Sequence, residues 1–327
     1  MTLQFAVRNM AICAIAVGTL NGCARNTRPP AGPMAASGIA PVREFDHVIE
    51  IVLENEDAKN VEGVPAMAAL ARRGFLLANY YAVAHPSYPN YLAMVSGHTF
   101  IDRDPRVSHD PVAYHWLDFG DAQLLINAPS IIDRLEQKGV SWNIFAEDYP
   151  ESSASPSRCD FDAKAGLYAR KHLPFLSFQA FHTHPDWCSH VRNLRWFRQD
   201  ALSAYTYIEP NLVHDGHDAP LDSAVVWINN FLRPIVADSA LMNHTLVVVT
   251  FDEASNPLLA NFFGSRPNRV YTVLRGGMVL AGESSNVAYS HYSLLRTIEV
   301  NFGLSPSLLP PGITPVEDAW RKSETTN

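Results

Sequence analysis

With 327 residues, 47 % of them hydrophobic and 18 % charged, the chain has globular composition and room for one large domain or two small ones, which excludes a disordered protein. A formal charge of −8 and the lack of any Lys/Arg cluster argue against a nucleic-acid partner.

The chain begins MTLQFAVRNMAICAIAVGTLNGC, with Arg8 ahead of an apolar run. That run is roughly a dozen residues long, too short to span a bilayer, which takes about 20. It fits the apolar region of an export signal over 1–22. Leu20-Asn21-Gly22-Cys23 resembles a bacterial lipobox, so Cys23 is expected to carry the lipid, and residues 23–44, rich in Pro, Gly and Ala, to form a tether. The expected location is outside the cytoplasm, either lipid-anchored in the cell envelope or secreted, with membrane contact only through that anchor. Cys13 lies in the signal, which leaves Cys159 and Cys188. In an exported chain these two most simply pair, closing the region around His172; metal ligation is the rival reading.

The expected elements follow in order. DHVIEIVLEN (46–55) has the pattern of a buried strand, VPAMAALARRG (64–74) that of a helix with a glycine stop, and FLLANYYAVA (75–84) that of a second strand. LAMVSG (92–97) reads as a short helix, PSIIDRLEQKG (129–139) as a longer one, and SWNIFAED (141–148) and SAYTYIEP (203–210) as strands. LDSAVVWINNFLRPIVAD (221–238) is an amphipathic helix with a kink expected at Pro234. HTLVVVTFDE (244–253) and YTVLRG (271–276) are strands, and SHYSLLRTIEVNFG (290–303) is a helix. This alternation predicts an α/β fold with a mostly parallel sheet covered on both faces, a three-layer sandwich spanning 45–327. In such sheets ligands bind beyond the carboxyl ends of the strands.

Several strand ends carry reactive groups to that rim. Glu54 and Asn55 end the first strand; alone they are ordinary turn residues. Asp252 and Glu253 close an apolar run, and burying both near other carboxylates costs several kcal/mol unless a cation or hydrogen bonds offset it. Ser87 stands in HPSYPNY between a strand and a helix, where free N–H groups favour an anion; an ordinary helix-capping serine is the bland alternative. Among 13 histidines, His172, His217 and His291 have suggestive contexts, and HDGHD (214–218) packs two His and two Asp around Gly216.

LEN, HPSYPNYLAMVSG, RKHLPF, PNLVHDGHD, VVVTFDE and SHYSLLRTIE, in this order from about residue 45 to 304, resemble the bacterial and fungal phosphoesterase family, which holds acid phosphatases and non-haemolytic phospholipases C within the alkaline-phosphatase-like superfamily. The resemblance implies that Ser87 is the nucleophile. It implies that Glu54, Asn55, Ser87, Asp252 and Glu253 surround one divalent cation, with Asn55 also facing the phosphate. His172 and His217 would touch the phosphoryl oxygens or protonate the leaving group, and Asp215 and His291 would be further ligands. Glu253 stands where the superfamily often has histidine, which implies one metal rather than two zincs; oxygen-rich ligands suit Mg, Ca or Mn, with Zn in the implied set. Leu173 replaces a common asparagine. The implied substrate is a phosphate ester, most directly a phosphomonoester cleaved through a phosphoserine. A phospholipase C is the alternative, although those larger relatives carry C-terminal domains and this chain ends RKSETTN. A non-catalytic ligand-binding lipoprotein would be expected to have lost Ser87 or the carboxylates. A carboxylesterase would need a G-x-S-x-G elbow, which does not surround Ser87.

Overall fold

The computed structural model describes residues 44–100, 124–151, 158–161, 164–255 and 268–321. The expected signal over 1–22, Cys23 and the expected tether up to residue 43 lie outside the described residues, as do 322–327.

The strands β1 (His47–Leu53), β2 (Phe75–Leu77), β3 (Trp142–Ala146), β4 (Val191–Asn193), β5 (Tyr205–Glu209), β6 (Thr245–Phe251), β7 (Val273–Arg275) and β8 (Ser284–Ser285) form one sheet. Their order is β8-β2-β7-β6-β1-β5-β3-β4. All pairings are parallel except those of β7, which runs antiparallel to both β2 and β6. This is the mostly parallel α/β sheet that the alternation predicts.

Every residue of β6 is buried, and all but the first of β1. A strand buried on both sides needs cover on both sheet faces, and its Val, Ile and Leu side chains each stabilise the fold by about 1.5–3 kcal/mol. The helices that supply cover include α1 (Pro65–Arg72), α2 (Ser87–Ser96), α3 (Ile131–Lys138), α4 (Leu221–Ala237) and α5 (His291–Phe302). α1 contacts α4, and α2 contacts α5. The starts of α3 and α5 are fixed by capping boxes at Ser130/Asp133 and Ser290/Ser293.

Two expectations shift. α2 starts at Ser87, five residues before LAMVSG, because Pro89 falls in the first turn, where its missing N–H costs nothing. FLLANYYAVA is not one strand: after β2, Tyr80–Tyr81 leaves the sheet to pair with Tyr289–Ser290. α4 continues through Pro234 into its last residues. Cys159 and Cys188 form a disulfide across 29 residues of sequence, around the 3₁₀ turn Arg170–His172. Closing a loop of that length stabilises the fold by about 3–4 kcal/mol on the chain-entropy argument.

The sheet also buries a carboxyl group. Glu50 in β1 is 1 % exposed and accepts the Tyr205 hydroxyl at 2.9 Å. Burial pushes its pKa up to about 7 against the pull of that hydrogen bond. The stability this proton carries is fully present below the unfolded value near 4.5 and is lost as pH rises through the folded value of about 7. The loss amounts to about 3 kcal/mol. Glu50→Gln is therefore expected to match the wild type in urea melts at pH 4.5 and to exceed it by about 3 kcal/mol at pH 8. Parallel stability curves for the two proteins would contradict this.

Candidate active site

The carboxyl ends of β1, β5 and β6 deliver Glu54, Glu209 and Asp252–Glu253 to one rim, and α2 brings Ser87 into their midst. Ser87 is fully buried at the first position of α2, and Pro86 precedes it as the cap. Its Oγ lies 3.0 Å from Glu54 Oε2, 3.2 Å from Glu253 Oε1 and 3.3 Å from Asn55 Oδ1. One hydroxyl proton thus faces three acceptor oxygens. Asn55 reaches this position in the left-handed region, with φ of 46°, and its backbone N–H donates to Asp252 Oδ1 at 3.1 Å.

These carboxylates repel one another. Burial first, then the charges of Glu54 and Glu253, holds the Asp252 carboxyl far above its usual range. Burial also raises Glu54, with His172 pulling the other way. Glu54 Oε1 and Asp252 Oδ2 are buried with no hydrogen-bond partner. Buried carboxylate oxygens left without a partner are costly, and a cation beside either of them would offset that cost.

The histidines sit on the far side of Glu54. His172 is buried; Asp215 Oδ2 takes its Nδ1–H at 3.1 Å, which leaves Nε2 as a lone pair 3.0 Å from Glu54 Oε1. Neither of these facing atoms has a hydrogen-bond partner. Burial drives the His172 pKa down to about 3, so the ring is neutral. Tyr91, one turn after Ser87, stacks on that ring with centroids 5.0 Å apart and donates to Glu209. His217 is exposed, with Nδ1 2.7 Å from Asp218 Oδ1 and Nε2 3.4 Å from Lys171 Nζ. Gly216 makes the HDGH turn with φ of 101°, close under the Glu54 carbonyl. Two groups can hold a metal, Glu54 with His172 and His217, and His172 with Glu209 and Asp215; within each group the ligand atoms lie within 4.8 Å of one another.

Of the expected site residues, Ser87, Glu54, Asn55, Asp252 and Glu253 form one cluster, and His172, His217 and Asp215 a second cluster joined to it through Glu54. His291 is placed otherwise. Its Nε2 donates to the Asp252 carbonyl at 2.7 Å and its Nδ1 meets the Tyr80 hydroxyl at 3.2 Å, so it holds the backbone of Asp252 in place. Leu173 turns into the core.

Four residues escaped the sequence reading. His85 is hydrogen-bonded through Nδ1 to Glu253 Oε2. Asn90 fastens the approach to Ser87, accepting from Val83 and Ala84 N–H at 3.0 and 2.9 Å and donating to the Ala84 carbonyl. Lys171 is buried beside His217. Glu209 ends a strand that looks like pure core, with Tyr207 donating to it at 3.1 Å. A signal existed only for Asn90, as the amide of PNY one turn into a proline-bounded corner.

The fold matches that of a Vibrio parahaemolyticus protein in the alkaline phosphatase superfamily, with a TM-score of 0.52, 10 % identity, and 80 % of this chain and 67 % of that one covered. The chain belongs to the Phosphoesterase family, which it matches over residues 58–305. It is 32 % identical to a phosphate-repressible acid phosphatase of Penicillium chrysogenum, over 87 % of this chain and 65 % of that one. It is 28 % identical to a phosphatidylinositol-3-phosphatase of Mycobacterium tuberculosis, over 88 % and 87 %. The chain spans 59–65 % of the length of the fungal acid phosphatases it matches. Among the described residues no helix is long and apolar enough to cross a membrane.

Proposed function

We propose that the protein is a metal-dependent phosphoric-ester hydrolase, an acid phosphatase that acts on phosphomonoesters through a phosphoserine. The observation that carries this reading is the Ser87 hydroxyl ringed by Glu54, Asn55 and Glu253 oxygens at 3.0–3.3 Å, beside the partnerless Glu54 Oε1 and Asp252 Oδ2. The acid phosphatase names of the fungal relatives support it.

Glu54, Asn55, Ser87, Asp252 and Glu253 would hold one divalent cation. When bound, that ion supplies positive charge that lowers the pKa of the hydroxyl and offsets the charge of the phosphate. Ser87 Oγ attacks phosphorus, its Oγ–P bond forms, and the bond to the leaving oxygen breaks. The hydroxyl proton passes to Glu253 Oε1, whose other oxygen is bonded to the half-buried His85, a route to solvent. His217, at the mouth, gives a proton to the leaving oxygen. Water then attacks phosphorus and breaks the Oγ–P bond, releasing phosphate and restoring Ser87. Lys171 supplies the local positive charge that a chain of net charge −8 needs to draw an anion.

The mycobacterial relative, matched over nearly its whole length, favours a second reading in which the monoester sits on an inositol lipid. The deciding experiment is hydrolysis of an aryl phosphomonoester and of the matching choline phosphodiester, with EDTA and after adding back Mg, Ca, Mn or Zn. Monoester turnover abolished by EDTA and restored by one of the metals is expected. Turnover of the diester alone would make the protein a phospholipase C. No turnover of either by folded, metal-supplied protein would leave a binding lipoprotein.

A further inference from the structure

Three arginines from separate stretches of the chain line one cavity of about 310 Å³ towards the amino ends of the parallel strands, opposite the Ser87 rim. Arg73 follows α1, Arg233 lies on α4, and Arg275 ends β7. Arg275 pairs with Val247, five residues before Asp252 on β6, which sets it about 16 Å from the Ser87 rim along the strand.

The cavity follows from local sequence. On α1, Ala66 and Ala69 share a face with Leu70 and Arg73, at steps of three and four residues. The two alanines are too short to fill the space between α1 and α4, which touch. On α4, Asn229 and Arg233 stand one turn apart and face the same space, with Asn230 beside them. No Asp or Glu lines the cavity, and none of the three guanidinium groups has an acidic partner among the described residues.

That is an unusual placement of charge. The chain has 33 acidic and 25 basic residues, yet this cavity gathers three cations and no anion. Arg275 is partly buried, and burial, then the charge of Arg73, lowers its pKa. Like charges held together without a counter-charge are costly, and an anion between them would remove that cost. Arginine forks, unlike lysines, fit the paired oxygens of a phosphate.

We propose that this cavity binds a phosphate-class oxyanion, separately from the Ser87 centre. Free phosphate, the product of the proposed reaction, and the phosphate of an anionic lipid headgroup present the same chemistry. β1 starts at this same end of the sheet, where His47 pairs with Thr245 on the strand that carries Val247.

The test is calorimetric titration of the full chain with inorganic phosphate, alongside co-sedimentation with phosphatidylcholine vesicles that do or do not carry phosphatidylglycerol. Wild type is compared with Arg73→Ser/Arg275→Ser and with Arg233→Gln, whose side chain is exposed and whose loss should leave the fold intact. Phosphate affinity at one site at least tenfold weaker in the variants, with aryl phosphate turnover and melting unchanged, supports a free-anion site. Loss of phosphatidylglycerol-dependent sedimentation with phosphate binding unaltered assigns the site to a headgroup. If both measurements are the same in all three proteins, the proposal is overturned. Because the readout is binding, the result holds whether or not the Ser87 centre proves to be a phosphatase.

Discussion

Replacing Ser87 with alanine is expected to lower kcat for an aryl phosphomonoester by roughly 10⁴-fold or more, since the covalent route has no second hydroxyl to use. The fold should survive. Ser87 is buried, but its hydroxyl has a single proton to share among Glu54, Asn55 and Glu253, so removing it costs one hydrogen bond, about 1 kcal/mol. Metal binding should weaken less than catalysis, because four of the five proposed ligands stay. Three readings separate the roles of Ser87. Rapid acid quench of wild type with ³²P-labelled substrate should leave label on the peptide that contains Ser87. The alanine variant should show none. Its melting midpoint should still rise on adding the activating metal. Label on wild type at another residue, or a variant with more than a tenth of normal turnover, would sink the phosphoserine mechanism and leave direct attack by water.

The same cluster shows how far the sequence reaches. Runs such as TLVVVTF and HVIEIVL declare a buried strand by their apolar continuity, and a carboxylate just past such a run marks the rim. That is why Glu54, Asp252 and Glu253 could be picked out as candidates, and why the corner at HPSYPNY drew attention to Ser87. Glu209 carries no such mark. It is the last residue of YTYIE, and nothing local distinguishes a glutamate that accepts from Tyr91 and Tyr207 from one that faces water. The distinction depends on α2 and β5 meeting, a contact between residues more than a hundred positions apart. Lys171 and His85 were missed for the same reason: their partners, His217 and Glu253, come from other segments. His291, which the resemblance implied as a further ligand, meets partners that no local pattern reveals: its ring reaches the Asp252 carbonyl and the hydroxyl of Tyr80, whose strand pairs with the residues just before α5. β4 is three residues long between 3₁₀ turns, too short for any periodicity to register.

Asp215→Asn is expected to be the most damaging change that touches neither Ser87 nor its carboxylates. Asp215 binds three parts of the site at once. Its Oδ2 takes the His172 Nδ1–H, its Oδ1 takes the His217 backbone N–H at 2.7 Å, and its carbonyl takes the Glu54 N–H at 2.9 Å. Asparagine keeps the shape and the last contact. Its amide, however, offers N–H to His172 Nδ1, which moves the ring proton to Nε2. There it would lie 3.0 Å from Glu54 Oε1, and a small turn of either side chain would make a hydrogen bond between two atoms that now have none. That bond would occupy the oxygen proposed for the metal. The expected result is a 10–100-fold rise in the metal concentration needed for half-maximal activity, the usual effect of a lost orienting carboxylate. A further loss of kcat at saturating metal is expected from the altered tautomer, in the direction known for an Asp→Asn change behind a catalytic histidine. Glu209→Gln is the control: Glu209 Oε1 lies 3.8 Å from His172 Nδ1, too far to accept its proton, so its metal dependence should move less than tenfold. Metal-activation curves of the three proteins decide the matter. Equal midpoints for wild type and Asp215→Asn would show that a proton on His172 Nε2 does not compete with the ion for Glu54 Oε1, and would shift the weight of metal binding towards Asp252 and Glu253.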